Sequence, residues 1–211
     1  MKDISIDLLR RIIAETIEKY ERIPFVPVLV SNRHVHLSRE DLDTLFGPGY
    51  NLTLVRELLP RQYACEETLT VTGKKGSLKK VRVLAPVRSE TQVEVSLTDN
   101  FALGIQTPVN ESGNLDGAGL VVLENPRNQA RVERKCAITA QRHIHLTPEF
   151  ATLHALRNGQ EVSVEIGGAR STVYRNVLVR VSPDFRDEMH IDTDEANAAM
   201  IRNGDLGRIF V

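Results

Sequence analysis

The segment Val30-Ser31-Asn32-Arg33-His34-Val35-His36-Leu37-Ser38 returns in the second half of the chain as Thr139-Ala140-Gln141-Arg142-His143-Ile144-His145-Leu146-Thr147. The arginine, both histidines and the leucine coincide, and each copy ends on a hydroxyl suited to cap a helix. Outside this island the halves do not visibly match. A short motif kept amid divergence implies two related strand–turn–helix units that contribute to one place. Residues two apart on a strand share a face, so each His-x-His presents both imidazoles side by side. Imidazole suits zinc and its first-row neighbours, and two pairs supply four ligands. One such pair is weak evidence. Two in the same frame favour metal binding over two merely structural pairs.

The rest of the 211 residues must build a scaffold that brings the copies together. Residues 4–20 read as an amphipathic helix, with Ile4, Leu8, Ile12, Ile13, Ile17 and Tyr20 at helical spacing. Pro24 and Pro27 then stop it, so residues 1–22 are either a helix packed on the body or a docking peptide. From residue 25 the period changes to two. Val26–Val30, Leu69–Val71, Val81–Val87, Val93–Leu97, Val121–Leu123, Val162–Ile166 and Val173–Val181 are strand-like runs set off by Gly, Pro, Asn or Asp. Short helices interrupt them. Ser38 with Asp41 opens one that Gly47-Pro48 closes, and Thr147-Pro148 opens another running to Asn158-Gly159. A third starts near Asp194 and ends before Gly204. This is a β-rich α+β pattern. A βα-repeat barrel would need about 250 residues and regular long helices.

Composition excludes whole function classes. Lys and Arg number 27 against 28 Asp and Glu, a net charge of −1. Such a balance argues against nucleic acid or a membrane surface as partner. No apolar run approaches the ~20 residues that span a bilayer. Cys65 and Cys136 form no framework and no C-x-x-C pair, and the N-terminus lacks a secretory pattern, so a cytoplasmic setting is expected. Both cysteines read as packing residues. No Walker A, Rossmann fingerprint or nucleophile elbow is present.

Other polar residues sort by context. His190, within Glu188-Met189-His190-Ile191-Asp192, alternates with apolar residues and can join a metal cluster from a neighbouring strand. Asp192, Asp194 and Glu195 read as helix N-terminal acids, and His154 as a surface or partly packed helix residue. Glu40 and Glu149 each complete H-x-H-x-x-x-E, but both fall in a first helical turn and are rejected as ligands. Glu94 projects from the polar face of a strand, with Arg88 upstream. They are either a ligand and an anion clamp or a surface pair. The basic run Lys74 to Arg82 reads as a solvated hairpin, its alternative being a patch for a phosphorylated ligand.

Four stretches together resemble the PduL-type phosphotransacylases, or phosphate propanoyltransferases. They are Ser31 to Ser38, Arg88-Ser89 through Glu94, Ala140 to His145, and Arg180-Val181-Ser182-Pro183 through Glu188 to Asn197, covering about residues 25–210. The resemblance implies two interleaved β-barrels capped by short helices, barrel 1 from about 23–32 plus 141–211 and barrel 2 from about 33–140. It implies two zinc ions, one held by His34, His36 and Glu94, the other by His143, His145 and His190. Arg88 would grip phosphate, and Val30, Ser31, Asn32, Lys75, Arg82 and Asn197 would contact coenzyme A. The implied reaction is acyl-CoA plus phosphate giving acyl phosphate plus CoA, with propanoyl-CoA or acetyl-CoA as donor. In this family an N-terminal amphipathic extension can direct the enzyme into a bacterial microcompartment, a role open to residues 4–20. A second copy of the chain is a further possible partner. The rival readings are a dinuclear zinc thioester hydrolase and a non-catalytic CoA- or metal-binding module.

Overall fold

The computed structural model describes residues 6, 8–10, 12–13 and 23–210. Ile6, Leu8, Leu9, Arg10, Ile12 and Ile13 are helical and exposed, and the rest of the expected helix over 4–20 lies outside the described residues. No helix among the described residues is long and apolar enough to cross a membrane.

Strands dominate. The first part of the chain holds β1 (Phe25–Ser31), β2 (His34–Ser38), β3 (Leu54–Leu59), β4 (Gln62–Thr72), β5 (Ser77–Arg88), β6 (Gln92–Glu94), β7 (Val109–Asn110) and β8 (Gly119–Glu124). The second holds β9 (Arg131–Ala140), β10 (His143–Leu146), β11 (Glu161–Ile166), β12 (Thr172–Val181), β13 (Glu188–Asp192) and β14 (Leu206–Phe210). Between them lie the short helices α1 (Arg39–Phe46), α2 (Leu97–Leu103), α3 (Pro148–Leu153) and α4 (Thr193–Ala199).

One closed barrel runs β1-β13-β10-β12-β11-β14. In the second sheet β8 pairs with both β4 and β9, which closes the ring β4-β5-β2-β6-β9-β8, while β3 and β7 sit outside it. The two rings match strand for strand. β10 pairs parallel with β12 and antiparallel with β13, as β2 does with β5 and β6. β1 runs parallel to β13 with Leu29 beside His190, and β9 runs parallel to β6 with Ile138 beside Glu94. The repeated motif therefore marks a repeat of the whole barrel. Its halves exchange their leading strands: β1 precedes β2 in sequence but joins the other barrel, and β9 precedes β10 and does the same.

Alternation explains where the motif points. Val35 and Leu37 are fully buried in the core of the second ring, packed with Val83, Val93 and Leu123. Ile144 and Leu146 are equally buried in the first barrel, with Val164, Val179 and Met189. Each such side chain contributes roughly 1.5–3 kcal/mol on burial, which pins the register. The intervening histidines are thereby forced to the opposite face.

The helix starts repeat as well. Ser38 caps α1 by accepting from the Asp41 amide, and Thr147 caps α3 by accepting from Phe150. Ser96 with Asp99 and Asp192 with Glu195 form capping boxes on α2 and α4. The motif arginines then reach these same acids. Arg33 pairs with Asp99 at 2.8 Å, and Arg142 with Glu195 at 2.8 Å. Two expectations need correction. The run Val93–Leu97 is not one strand, because the Ser96 capping box turns the chain into α2 at Leu97. The helix after Thr147 ends at Leu153 rather than near Asn158, since Ala155 takes a left-handed conformation at φ 54°.

Candidate active site

Two clusters of three candidate ligands form where the motif strands meet their antiparallel neighbours. Register places Glu94 opposite His34, and His190 opposite His143. Among the described residues, His34, His36 and Glu94 make one group and His143, His145 and His190 the other, with ligand atoms within 4.8 Å of one another in each. His34 Nδ1 donates to the Asn32 carbonyl at 2.9 Å, and His143 Nδ1 donates to the Gln141 carbonyl at 2.8 Å. Each bond fixes the ring and leaves Nε2 as an electron-pair donor.

The clusters fit a divalent cation. His36 Nδ1 and both ring nitrogens of His145 are buried without a hydrogen-bond partner, an arrangement a metal would relieve. Burial lowers His36 well below the ordinary imidazole value, and neighbouring His34 adds to this. Burial, together with His190, brings His143 to about 4, and burial with His143 and His190 brings His145 to about 2. These rings are held neutral, as ligation requires. Burial also disfavours charge on His34, but Glu94 outweighs it and the net shift is upward. Burial would raise Glu94 too. Here His34, His36 and Ser112 reverse the sign and hold the carboxyl below the usual range.

Both clusters line one cleft of about 660 Å³, together with Arg88, Arg180, Ser112 and Phe185. Arg88 donates from Nη1 to Ser112 Oγ at 3.0 Å, and Ser112 donates to Glu94 Oε1 at 2.9 Å. Gln92 Nε2 donates to the same carboxylate oxygen at 2.7 Å, leaving Oε2 toward His34. Arg180 stands opposite His145 in register and pairs with Glu111 at 3.2 Å. Phe185 stacks on the His145 ring at 3.9 Å. The arrangement can hold two cations and present guanidinium donors to an anion between them.

The structure brings His34, His36, Glu94, His143, His145, His190 and Arg88 together in this cleft, with Val30, Ser31, Asn32 and Arg82 on its wall. Lys75 lines a separate hollow, near Phe101 and Gly104, and Asn197 is exposed on α4. Neither is among the residues that line the cleft. Glu40 lies exposed beside Arg134, and Glu149 sits in the first turn of α3. Sequence reasoning missed Gln92, Ser112, Arg180, Phe185 and Glu188, whose Oε1 lies 3.2 Å from His190 Nε2. Strand parity could have found Gln92 and Glu188, two residues before Glu94 and His190. Ser112 lies in a loop that carries no such signal.

Comparison with known proteins bears on this geometry. The phosphate propanoyltransferase family model matches residues 27–202. A phosphate propanoyltransferase of Thermotoga maritima is 50% identical over 196 residues, covering 92% of this chain and 93% of its own. One from Rhodopseudomonas palustris is 53% identical over 188 residues, covering 88% and 83%. One from Clostridioides difficile is 43% identical over 205 residues, covering 97% and 98%. The match takes in both motif copies, the strands that oppose them and the cleft between. The chain belongs to the phosphate propanoyltransferase family and, as a member, is a transferase.

Proposed function

We propose that this protein interconverts a short-chain acyl-CoA and phosphate with acyl phosphate and free CoA, using the two three-ligand clusters as a dinuclear zinc site. The carrying observation is the convergence of both clusters and Arg88 on one cleft. Propanoyl-CoA is the first donor to test, because the relatives are named for it, with acetyl-CoA second. Two zinc ions would supply Lewis acidity to the thioester carbonyl and charge stabilisation to the departing thiolate.

The chain's own groups do the rest. Arg88 is anchored through one nitrogen to Ser112, so its remaining donors hold the phosphate dianion beside the bound thioester. Burial lowers its pKa, Glu94 nearby opposing this and Arg180 adding to it. Arg180 also lines the cleft, so an incoming anion would meet both guanidinium groups. A phosphate oxygen attacks the carbonyl carbon directly. The C–O bond forms, the C–S bond breaks, and the electron pair leaves with the CoA sulfur. No acyl-enzyme is needed. Cys65 and Cys136 are buried away from the cleft lining, and burial pushes their thiols up to about 11 and about 12. Val30, Ser31, Asn32 and Arg82 are read as CoA contacts near the acyl end, with Lys75 and Asn197 reaching only its distal portion. The exposed Ile6, Leu9, Ile12 and Ile13 offer an apolar helical surface for docking, as at a microcompartment shell or cargo in the cytoplasm.

The test is phosphate-dependent release of free CoA thiol from propanoyl-CoA, by metal-replete and chelator-stripped protein. Release that needs both phosphate and metal is expected. Arg88→Ala should lower kcat/KM for phosphate by roughly 100- to 1,000-fold. Release without phosphate would identify a thioester hydrolase instead.

A further inference from the structure

The segment that follows β7 holds both arginines of the cleft, with adjacent residues and in unlike ways. Ser112 meets Arg88, which comes from the second ring, and Glu111 meets Arg180, which comes from the first barrel. The backbone beneath them is tied down. The Asn110 side chain donates to the Asn114 and Asp116 carbonyls, and the Gly113 amide donates to Gln92 Oε1. The Gln141 amide donates to the Asn110 carbonyl, which fastens the segment's start to the end of β9. Any exchange of partners at this place therefore falls to side chains.

Ser112 has no bonding capacity to spare. Its Oγ accepts from Arg88 Nη1 at 3.0 Å and from Gln92 Nε2 at 2.9 Å, and it donates to Glu94 Oε1 at 2.9 Å. That uses both lone pairs and the one proton of the hydroxyl. The senses are fixed, because a guanidinium only donates and the Gln92 oxygen is taken by a backbone amide. Ser112 carries no charge, so it holds Arg88 without neutralising it.

Glu111 is a different kind of holder. It meets Arg180 by one ion pair, 3.2 Å from Oε1 to Nε, and its side chain is 48% exposed against 29% for Arg180. The Arg180 guanidinium also lies 5.8 Å from the centroid of the Phe185 ring. Val179 is buried in the barrel core, so Arg180, the next residue on β12, faces the other way, beside His145 in register. Arg180 lines the cleft and Glu111 does not. After burial, the Arg180 charge adds to the downward shifts of Arg88, His143 and His145. A single-contact pair between partly exposed groups is weak, because water solvates the carboxylate once it is released.

We propose that Glu111 is a specificity-determining residue of the phosphate site, a counter-ion that Arg180 exchanges for phosphate. In the anion-free cleft the Glu111 carboxylate compensates Arg180. When phosphate enters, Arg180 turns its donors to the dianion and Glu111 passes into water. Arg88 is thus the fixed arm of the clamp and Arg180 the exchangeable one. Glu111 competes with phosphate and keeps its affinity below what two uncompensated guanidinium groups would give. The proposal rests on the reading of this cleft as a phosphate site.

The experiment is calorimetric titration of inorganic phosphate into the zinc-loaded full chain, freed of excess metal, for wild type, Glu111→Gln and Asp116→Asn. Glu111→Gln keeps the size of the side chain and removes its charge. It should bind phosphate roughly two- to fivefold more tightly, with KM for phosphate falling in step. Asp116→Asn removes an equal charge from the same segment, from an acid that pairs with neither arginine among the described residues, and should leave the affinity within about 1.5-fold of wild type. Unchanged or weaker binding by Glu111→Gln would overturn the proposal, since the carboxylate would then not compete. Equal tightening by Asp116→Asn would overturn it too, by reducing the effect to net charge. Should Glu111→Gln fail to fold, Glu111→Ala takes the same titration with the same expected sign. Wild type that binds no phosphate would defeat the phosphate reading of the cleft itself, and the exchange with it.

Discussion

The barrel built on β10 and the ring built on β2 share strand order, pairing sense and register, down to Leu29 beside His190 and Ile138 beside Glu94. Their cores are filled by different side chains, and the third member of each cluster differs in charge. Alternating apolar residues suffice to reproduce the scaffold, because any β-branched or leucine side chain of suitable volume can fill an inward position. The outward positions are under a different constraint. There the motif arginine and histidines are kept, while Glu94 and Gln92 give way to His190 and Glu188 as a pair. Architecture tolerates substitution at single positions; the site's charge changes only by compensated exchange.

The largest expected effect comes from breaking one centre at a time. His36→Ala and His145→Ala each remove a buried histidine of the proposed metal site from equivalent positions. Each should lose one equivalent of bound metal and lower phosphate-dependent thiol release on the order of 1,000-fold, if both centres serve the reaction. Zinc content and turnover measured on the same preparations check this. A His145→Ala protein that keeps turnover with one metal would make the two centres unequal, the second being a structural remnant of the repeat.

A smaller effect separates the two motif arginines. Arg33 meets Asp99 through two nitrogens, at 2.9 and 2.8 Å, and the Asp99 side chain is 4% exposed. Arg142 meets Glu195 through Nε, at 2.8 Å, and the Glu195 side chain is 19% exposed. Removing the arginine strands a more deeply buried charge in the first case. Arg33→Ala should therefore cost about 2–3 kcal/mol and Arg142→Ala about 1 kcal/mol. Urea unfolding of the metal-free proteins measures both. Equal losses would mean that the Asp99 carboxylate, freed of its arginine, regains hydration as readily as Glu195 does.

The comparison also shows what a sequence discloses. The four motif histidines announce themselves because identical residues recur at a spacing with a direct geometric meaning. Alternation brings His190 within reach of the cluster, but for Glu94 and Arg88 it leaves ligand and surface pair equally open. Only the family resemblance chose between them. The exchange of β1 and β9 between barrels leaves no local trace, since a strand's apolar face does not say which neighbour will cover it. The Ser96 capping box has a sequence signature in Asp99 three residues on, but the apolar residues on either side of Ser96 extend the strand pattern across it. Ser112 is held in place by bonds to Arg88, Gln92 and Glu94, each far from it in the chain, and no pattern within its own loop reflects them.

The smallest predicted effect, that of Met200→Gly, belongs to a test of how closely the halves still correspond at their helix ends. Counting from the caps Ser96 and Asp192, Gly104 and Met200 fall at the same step, and both are left-handed, at φ 68° and φ 57°. A methionine pays a steric cost there of roughly 1–2 kcal/mol that glycine avoids. Met200 is 61% exposed, so little packing is lost on its removal. Met200→Gly should stabilise by about 0.5–1 kcal/mol, the steric relief being partly offset by a more flexible unfolded chain. Gly104→Ala should destabilise by about 1–2 kcal/mol, because the new Cβ would meet the Lys75 side chain as well as the unfavourable φ. Thermal unfolding of the two variants decides the matter. If Met200→Gly proves destabilising, the methionine holds α4 against β13 by contacts that outweigh its strain, and the two helix ends have diverged in energy while keeping one conformation.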